Sequence, residues 1–233
     1  MTFSFDFFWA QALPQLLRAI PVTLSLTLLS GIGSLLLGMA LAIALGSAHR
    51  SLRWPAQVYA TVVRGTPLLV QIYFIYYGLG SLVPREWMRD SWASPLLRDA
   101  FWYGLVALII NEAAYVGVIL RGGLNAIPKG ETEAAAALGL PAWTRWVRLR
   151  IPRVTMLTLP MLCNEAVLLL KSTVLVSTIT IFDVLGTANL IRFKTFRITE
   201  PLMAAALIYI VLVLCISLAS LPLERRFARM RLR

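Results

Sequence analysis

The sequence predicts an all-α integral membrane protein with five transmembrane helices. Of its 233 residues, 59% are hydrophobic and only 14% are charged, and the mean hydropathy is +0.76. A soluble domain typically carries about 25% charged residues. The apolar residues form five segments of the length that crosses a bilayer, which is about 20 residues for a helix. We place these spans, within a single transmembrane domain 1–233, at about 20–46, 56–80, 100–120, 154–180 and 202–222.

The basic residues, which give the chain a net charge of +11, set the expected orientation. Thirteen of them lie with three acids in segments 50–53, 121–153 and 224–233, whereas the opposite segments hold seven basic and five acidic residues. The positive-inside rule assigns the first set to the cytoplasm. The N-terminus is therefore expected outside and the C-terminus inside. Because the charges alternate with hydrophobic spans, we expect them to contact membrane lipid and not nucleic acid.

The first span is too long for the apolar core of a signal peptide, and little positive charge precedes it, so we expect it to be retained. The second span carries an ionisable residue, Arg64, followed by Gly65, Thr66 and Pro67. Proline removes one backbone hydrogen bond and predicts a kink at this position. We favour a structural role for Arg64, in a bend that is suited to gating.

In the third span, Glu112 and Tyr115 are three residues apart and share a helix face. An ionisable residue at membrane depth is costly and indicates a functional site. Glu112 has the charge to attract the amino group of a substrate.

The loop 121–153 is predicted to form two short helices with a bend. Glu131 and Glu133 suit the first turn of a helix, where the dipole is positive, and a run of alanines follows them. Gly139 is placed to end this helix, and the second piece carries Trp143 and Trp146 on one face. The physical pattern alone leaves two alternatives open, docking to another protein or contact with lipid.

The fourth span is polar on one side only. Residues seven apart nearly eclipse on a helix, so Asn164, Lys171 and Thr178 form one stripe, beside Glu165 and Ser172. Glu165 and Lys171 are six residues apart and do not face each other, which excludes a simple ion pair within the helix. The stripe indicates either a water-filled pathway or a polar packing network with another helix.

Part of the loop 121–153 has the form of a known motif. EAAAALG, followed after nine residues by LRIP, resembles the EAA loop of ABC importer permeases. Residues 64–79 (RGTPLLVQIYFIYYGL), 113–135 and 164–173 resemble further segments of the polar amino acid permeases in that family. The resemblance extends over roughly residues 20–222 and implies the fold of a type I ABC importer permease core.

The resemblance also implies partners and a division of labour. The loop would dock, as a coupling helix, into a groove of a cytoplasmic ABC ATPase subunit. Two such ATPase subunits would bind and hydrolyse ATP with Mg²⁺. This chain has no Walker A pattern and is expected to bind no cofactor or metal itself. An extracytoplasmic solute-binding protein would deliver the substrate, and a second permease, either similar or identical, would complete the pore in the bacterial inner membrane. The motif assigns ATPase coupling to Glu131, Glu133, Ala134, Ala135, Gly139, Leu149, Ile151 and Pro152.

The substrate is expected to be a polar amino acid or a derivative of one, with opine-type derivatives as an alternative. Relatives usually carry a glutamate at the position of Val118, so specificity for arginine or lysine is not implied. An intramembrane hydrolase is disfavoured because the only histidine, His49, lies at the end of a span. A passive channel or scaffold without ATPase coupling is the alternative from another class, and it has no need of the EAA-like loop.

Overall fold

The computed structural model describes residues 3–84, 86–87 and 91–231, and the regular secondary structure over these residues is all helical. Some charges counted for the orientation, including Arg85, Arg89, Asp90 and Arg233, lie outside this part of the chain. The principal helices are α1 (Ile20–Leu45), α2 (Arg50–Gly65), α3 (Leu68–Leu82), α4 (Ala100–Asn125), α5 (Lys129–Ala137), α6 (Ala142–Arg145), α7 (Ile151–Ser172), α8 (Val184–Thr195) and α9 (Thr199–Arg231).

Shorter helical pieces extend several of these helices. An N-terminal helical segment, 5–17, precedes α1, and the short helix Ser94–Arg98 precedes α4. A π-helical turn, Trp146–Arg150, joins α6 to α7, and α7 continues as the 3-10 helix Thr173–Ile179. The described residues thus contain four continuous helices that are long and apolar enough to cross a membrane, and a fifth crossing if α2 and α3 are counted as one bent span.

The second span differs most from its sequence-based prediction. Instead of one kinked helix over 56–80, α2 and α3 meet at an angle of 108°. Thr66 has an extended backbone, with φ −112° and ψ 142°, because the residue before a proline is disfavoured in the helical region. Pro67 then begins α3 without an N–H group to continue the hydrogen bonds of α2. The chain therefore changes direction at Thr66–Pro67.

The contact between α1 and α4 forms the centre of the molecule. Glycines on α1 meet branched side chains on α4, so the two helices approach closely. A Cβ atom on Gly38 would lie 2.7 Å from the Val116 Cγ1 atom, and one on Gly33 would lie 2.7 Å from the Ile109 Cδ1 atom. Larger residues at either position would force the helices apart.

A second core joins the N-terminal segment to α8 and α9. Buried side chains on these elements include Phe8, Val184 and Ile208. The carboxylate of Asp183, also fully buried, accepts hydrogen bonds from the Gly186 backbone N–H at 2.7 Å and from the Tyr209 hydroxyl at 2.9 Å. These bonds fix the start of α8 against α9.

Helix α7 connects the loop 121–153 to the interior of the bundle. It carries Pro152 in its first turn and a second proline, Pro160, within the helix. Thr158 on α7 lies against Gly123 at the end of α4, where a side chain would clash. The helix is therefore anchored to α4 near its start, on the same side of Pro160 as the loop.

Candidate functional site

A cavity of 520 Å³ opens beside the break between α2 and α3; we call it the central cavity. Its walls come from the break and from α4 and α7, three separate parts of the sequence. It brings together eight residues for which the sequence predicted a role in the substrate pathway, in gating or in structure: Arg64, Gly65, Thr66, Pro67, Glu112, Tyr115, Glu165 and Ser172.

The break is held open by the side chain of Gln71 on α3. Its Nε2 atom donates to the backbone oxygen of Val63 at 2.7 Å, to that of Thr66 at 3.1 Å and to the Thr66 hydroxyl at 2.7 Å. Its Oε1 atom accepts from Asn111 Nδ2 on α4 at 3.1 Å. The end of α2 has carbonyl groups without intrahelical partners, and Gln71 satisfies two of the backbone oxygens near it. The bend is thereby fixed to α4.

The central cavity contains charges of both signs. Glu112 is buried, with 6% of its surface exposed, Glu165 is half-buried, and Arg64 is exposed. The Arg64 guanidinium carbon lies 5.4 Å from the centroid of the Tyr115 ring, which is within the range of a cation–π interaction. Among the described residues, neither glutamate forms an ion pair. The cavity therefore holds two carboxyl groups and a guanidinium that form no direct ion pair within the described chain.

Two residues assigned to the pathway lie outside the cavity. Asn164 and Lys171 are exposed on another side of α7, and Thr178 is exposed on the 3-10 helix that follows. Lys171 is separated from Glu165, as the spacing of six residues requires. Val118 also lies outside the cavity and packs against Leu41, Ala56 and Ala60.

Gln71 and Asn111 were not among the predicted site residues, although they hold one wall of the cavity. Each interrupts an apolar run, and an amide in such a run is costly unless it is hydrogen-bonded. That cost is the sequence signal that points to Gln71. Its partners, however, lie as far as 40 residues away and are set by tertiary structure.

The loop 121–153 forms a separate surface at the end of the molecule. Helix α5 ends at Ala137, and Gly139 follows it with φ +72°, a conformation that disfavours residues other than glycine. The Gly139 N–H donates to the Ala136 oxygen at 2.9 Å, and the Leu140 N–H donates to the Ala135 oxygen at 3.2 Å. This left-handed turn directs the chain into α6.

The exposed side of this loop has no partner within the described chain. Leu138 is 79% exposed and Trp143 is 76% exposed, and Glu133 and Ala134 are exposed beside them. We call these four residues the docking surface. Large apolar side chains that are exposed together indicate an interaction site.

The remaining residues of the EAA-like motif are placed differently. Ala135 is buried, and Glu131 forms an ion pair with Arg153 at the start of α7, at 2.8 Å. Leu149 is half-buried in the π-helical turn, whereas Ile151 and Pro152 are exposed in the first turn of α7. The motif thus contributes both an exposed surface and a link to α7.

Among the described residues, no group of three His, Cys, Asp or Glu side chains has the arrangement of a metal site.

Comparison with known proteins gives a consistent family. Residues 34–229 match the family described as binding-protein-dependent transport system inner membrane component. The octopine transport system permease protein OccM of Rhizobium radiobacter is 41% identical over 216 residues, which are 91% of this chain and 85% of that protein. The arginine transport system permease protein ArtQ of Bacillus subtilis is 36% identical over 214 residues, 92% of this chain and 93% of that protein.

Solved structures support the same fold. A crystal structure of an amino acid ABC transporter with histidines superposes with a TM-score of 0.81 at 34% identity, covering 97% of this chain and 100% of that one. The inward-facing MetNI methionine ABC transporter has a TM-score of 0.75 at 15% identity, with 97% of this chain and 99% of that one covered, which shows the fold alone. The chain therefore belongs to the family of inner membrane components of binding-protein-dependent transport systems, and is a multi-pass membrane permease and not an enzyme.

Proposed function

We propose that the chain is the transmembrane permease subunit of an ATP-driven importer for a polar amino acid or an amino acid derivative. The observation that carries the proposal is the mixed charge of the central cavity, where Arg64, Glu112 and Glu165 share one space. An amino acid carries a carboxylate and an ammonium group. A guanidinium pairs with the first and carboxylates pair with the second, so the cavity complements both groups.

The names of relatives narrow the chemistry of the substrate. They include permeases of an octopine system, an arginine system and a nopaline system, at 41%, 36% and 34% identity. Octopine and nopaline are opines, so an opine-type derivative is the specific alternative to a free amino acid. The position of Val118, packed in an apolar cluster, adds no acid to the cavity of this chain.

Family membership implies a separate ATP-hydrolysing partner and a substrate-binding protein. We propose that two ATPase subunits bind ATP with Mg²⁺ and contact the docking surface, Glu133, Ala134, Leu138 and Trp143. A second permease, similar or identical, would cover the polar stripe of Asn164, Lys171 and Thr178. A lysine that faced lipid on a spanning helix would be costly, which supports a protein partner or a shared aqueous path at this stripe.

The proposed coupling follows a chain of contacts. Movement of α5 by the ATPase is transmitted through the ion pair between Glu131 and Arg153 to α7. Helix α7 carries Glu165 in the wall of the central cavity. Displacement of α7 relative to the α2–α3 break therefore changes the shape of the cavity and its access to either side of the membrane.

The test is ATP-driven uptake in proteoliposomes that contain the complete transporter and its binding protein. We expect Gly139→Glu to abolish uptake, because it adds an acid at a position with φ +72° beside the docking surface. Gly130→Glu is the matched control: Gly130 lies in the first turn of α5, has open space around it and does not have positive φ, so uptake is retained.

A passive channel makes the opposite prediction. Flux through a channel does not depend on docking of an ATPase, so it would continue in Gly139→Glu. Uptake by this variant at the wild-type rate would refute the coupling proposal. Competition of uptake by a panel of free amino acids, octopine and nopaline would then assign the substrate class in the wild-type transporter.

A further inference from the structure

A second cavity, of 330 Å³, lies where α1, α4 and α5 meet the π-helical turn 146–150; we call it the end cavity. It lies at the end of the molecule that the charge asymmetry assigns to the cytoplasm. Three cationic side chains line it, those of Arg121, Lys129 and Arg150, and no carboxylate does so. The proposed transport function does not use it.

The three cations have no counter-charge within the described chain. The described ion pairs are Arg153 with Glu131 and Arg197 with Glu200, and neither includes a residue of this cavity. Arg150 is oriented by Trp146, whose ring centroid lies 4.8 Å from the guanidinium carbon. Both arginines are half-buried, so their charge is directed into a confined space and not into bulk water.

The fold makes room for one of these cations at Gly46. A Cβ atom built on Gly46, just after α1, would collide with Nη1 of Arg121. The guanidinium therefore occupies the space that a side chain at position 46 would take. This close contact fixes Arg121 beside the C-terminal end of α1, near the C-terminal end of α4.

The cavity has a mixed lining of cationic and apolar side chains. Ile43 and Leu124 line it from the last turns of the two spanning helices, while Lys129 and Thr132 line it from α5. A phosphate in contact with the cations would thus lie close to apolar side chains of both spanning helices. That combination matches a lipid headgroup and its first acyl carbons more closely than a free anion.

We propose that the end cavity binds the phosphate-bearing headgroup of an anionic phospholipid. None of the four residues of the docking surface lines the cavity, so an ATPase that covers that surface leaves this site to the membrane. The bound lipid would connect α1 and α4 to the first turn of α5. The site would make the position of the coupling helix sensitive to the charge of the surrounding lipid.

The test uses the complete transporter, exchanged into vesicles of equal parts phosphatidylcholine and phosphatidylglycerol, then extracted gently for native mass spectrometry. We expect phosphatidylglycerol to be retained by the wild type. Each of Arg121→Gln and Arg150→Gln should lower retention about fivefold, the effect of one basic residue at an anionic surface. Arg148→Gln removes the same charge from the same turn outside the cavity and should retain the lipid at the wild-type level.

A variant without a change of charge tests the geometry. Gly46→Ala displaces the Arg121 guanidinium and should lower retention, although the net charge is unchanged. Equal retention in the wild type and in all cavity variants would overturn the proposal, as would equal loss in Arg148→Gln. A soluble source is tested by adding inorganic phosphate to the wild type: displacement of phosphatidylglycerol by millimolar phosphate would assign the site to a free anion and refute the lipid assignment.

Discussion

The central cavity and the end cavity are both lined by ionisable side chains, but their charges are arranged differently. The central cavity has a guanidinium and two carboxylates, whereas the end cavity has three cations and no carboxylate. A cavity with positive and negative groups suits a zwitterionic substrate. Because no single ionic group dominates the cavity, it also suits release of that substrate. A cavity with one sign suits an anion that stays bound. The difference in charge therefore distinguishes a site through which a substrate passes from a site at which an anion stays bound.

The largest expected effect comes from reversing a charge in the central cavity. Glu112→Lys leaves that cavity without its buried carboxylate and places a cation near Arg64. We expect uptake to fall about 100-fold, the scale of losing a desolvated charge contact. Glu112→Gln, which keeps the shape, should lower uptake about tenfold on the same scale. Retention of phosphatidylglycerol should be unchanged in both, and a parallel loss of the lipid would show that the two cavities are not independent.

A smaller effect is expected at the wall of the central cavity. Gln71→Leu removes the hydrogen bonds that join α3 to Val63 and Thr66 on the other side of the break. It also removes the hydrogen bond to Asn111 on α4. We expect a loss of about 2 kcal/mol, seen as a melting temperature lowered by about 4–8 °C. Tyr73→Phe removes a hydroxyl from the same helix away from the break and serves as the control. Wild-type stability of Gln71→Leu would mean that the amide does not hold the break.

The end cavity should respond to lipid where the central cavity does not. Replacing phosphatidylcholine with phosphatidylglycerol in nanodiscs should raise the melting temperature of the wild-type transporter by about 3–6 °C, since a ligand stabilises the state that binds it. The gain should vanish in the Arg121→Gln, Arg150→Gln double variant and persist in Glu112→Gln. An equal rise in melting temperature in the double variant would indicate a general effect of lipid charge on the protein surface. It would contradict the assignment of lipid binding to the end cavity.

The smallest effect on stability is expected at the ion pair between the loop and α7. Glu131 and Arg153 are 29% and 40% exposed, so their pairing is worth at most about 1 kcal/mol. Glu131→Gln should lower the melting temperature by only about 1–3 °C. ATP-driven uptake should decrease more than this loss of stability explains. Exchanging the charges, with Glu131→Arg and Arg153→Glu together, should restore part of the uptake. If the double variant takes up no more substrate than Glu131→Gln, coupling through this pair is contradicted.

The helices that cross the membrane follow from local sequence, because apolar composition over about 20 residues determines whether a segment inserts. The separation of Glu165 from Lys171 also follows, because it depends only on the helical repeat. The fixed 108° angle at Pro67 does not follow. Proline predicts a weak point, but the angle depends on the hydrogen bond between Gln71 and Asn111, which are 40 residues apart.

The sequence predicted which residues line the central cavity better than it predicted how their helices are arranged around it. Glu112 and Glu165 are on different helices, and the rotation of each helix is decided by packing such as that of Gly38 on Val116. In the loop, a spacing of three residues predicted one face for Trp143 and Trp146. Trp143 is exposed, whereas Trp146 lines the end cavity at the start of a π-helical turn, whose repeat differs from that of an α-helix.

The proline within α7 has a mechanical consequence for the whole molecule. Arg153 and Glu165 lie on the same helix about 18 Å apart along its axis, and Pro160 stands between them. A helix lacks one backbone hydrogen bond at such a residue and bends there more easily than elsewhere. The segment before Pro160 is braced against Gly123 of α4, and the segment after it carries Leu169 and Leu170, which are buried in the core. A displacement of the loop end would therefore bend α7 at Pro160, between two segments that are each held by packing.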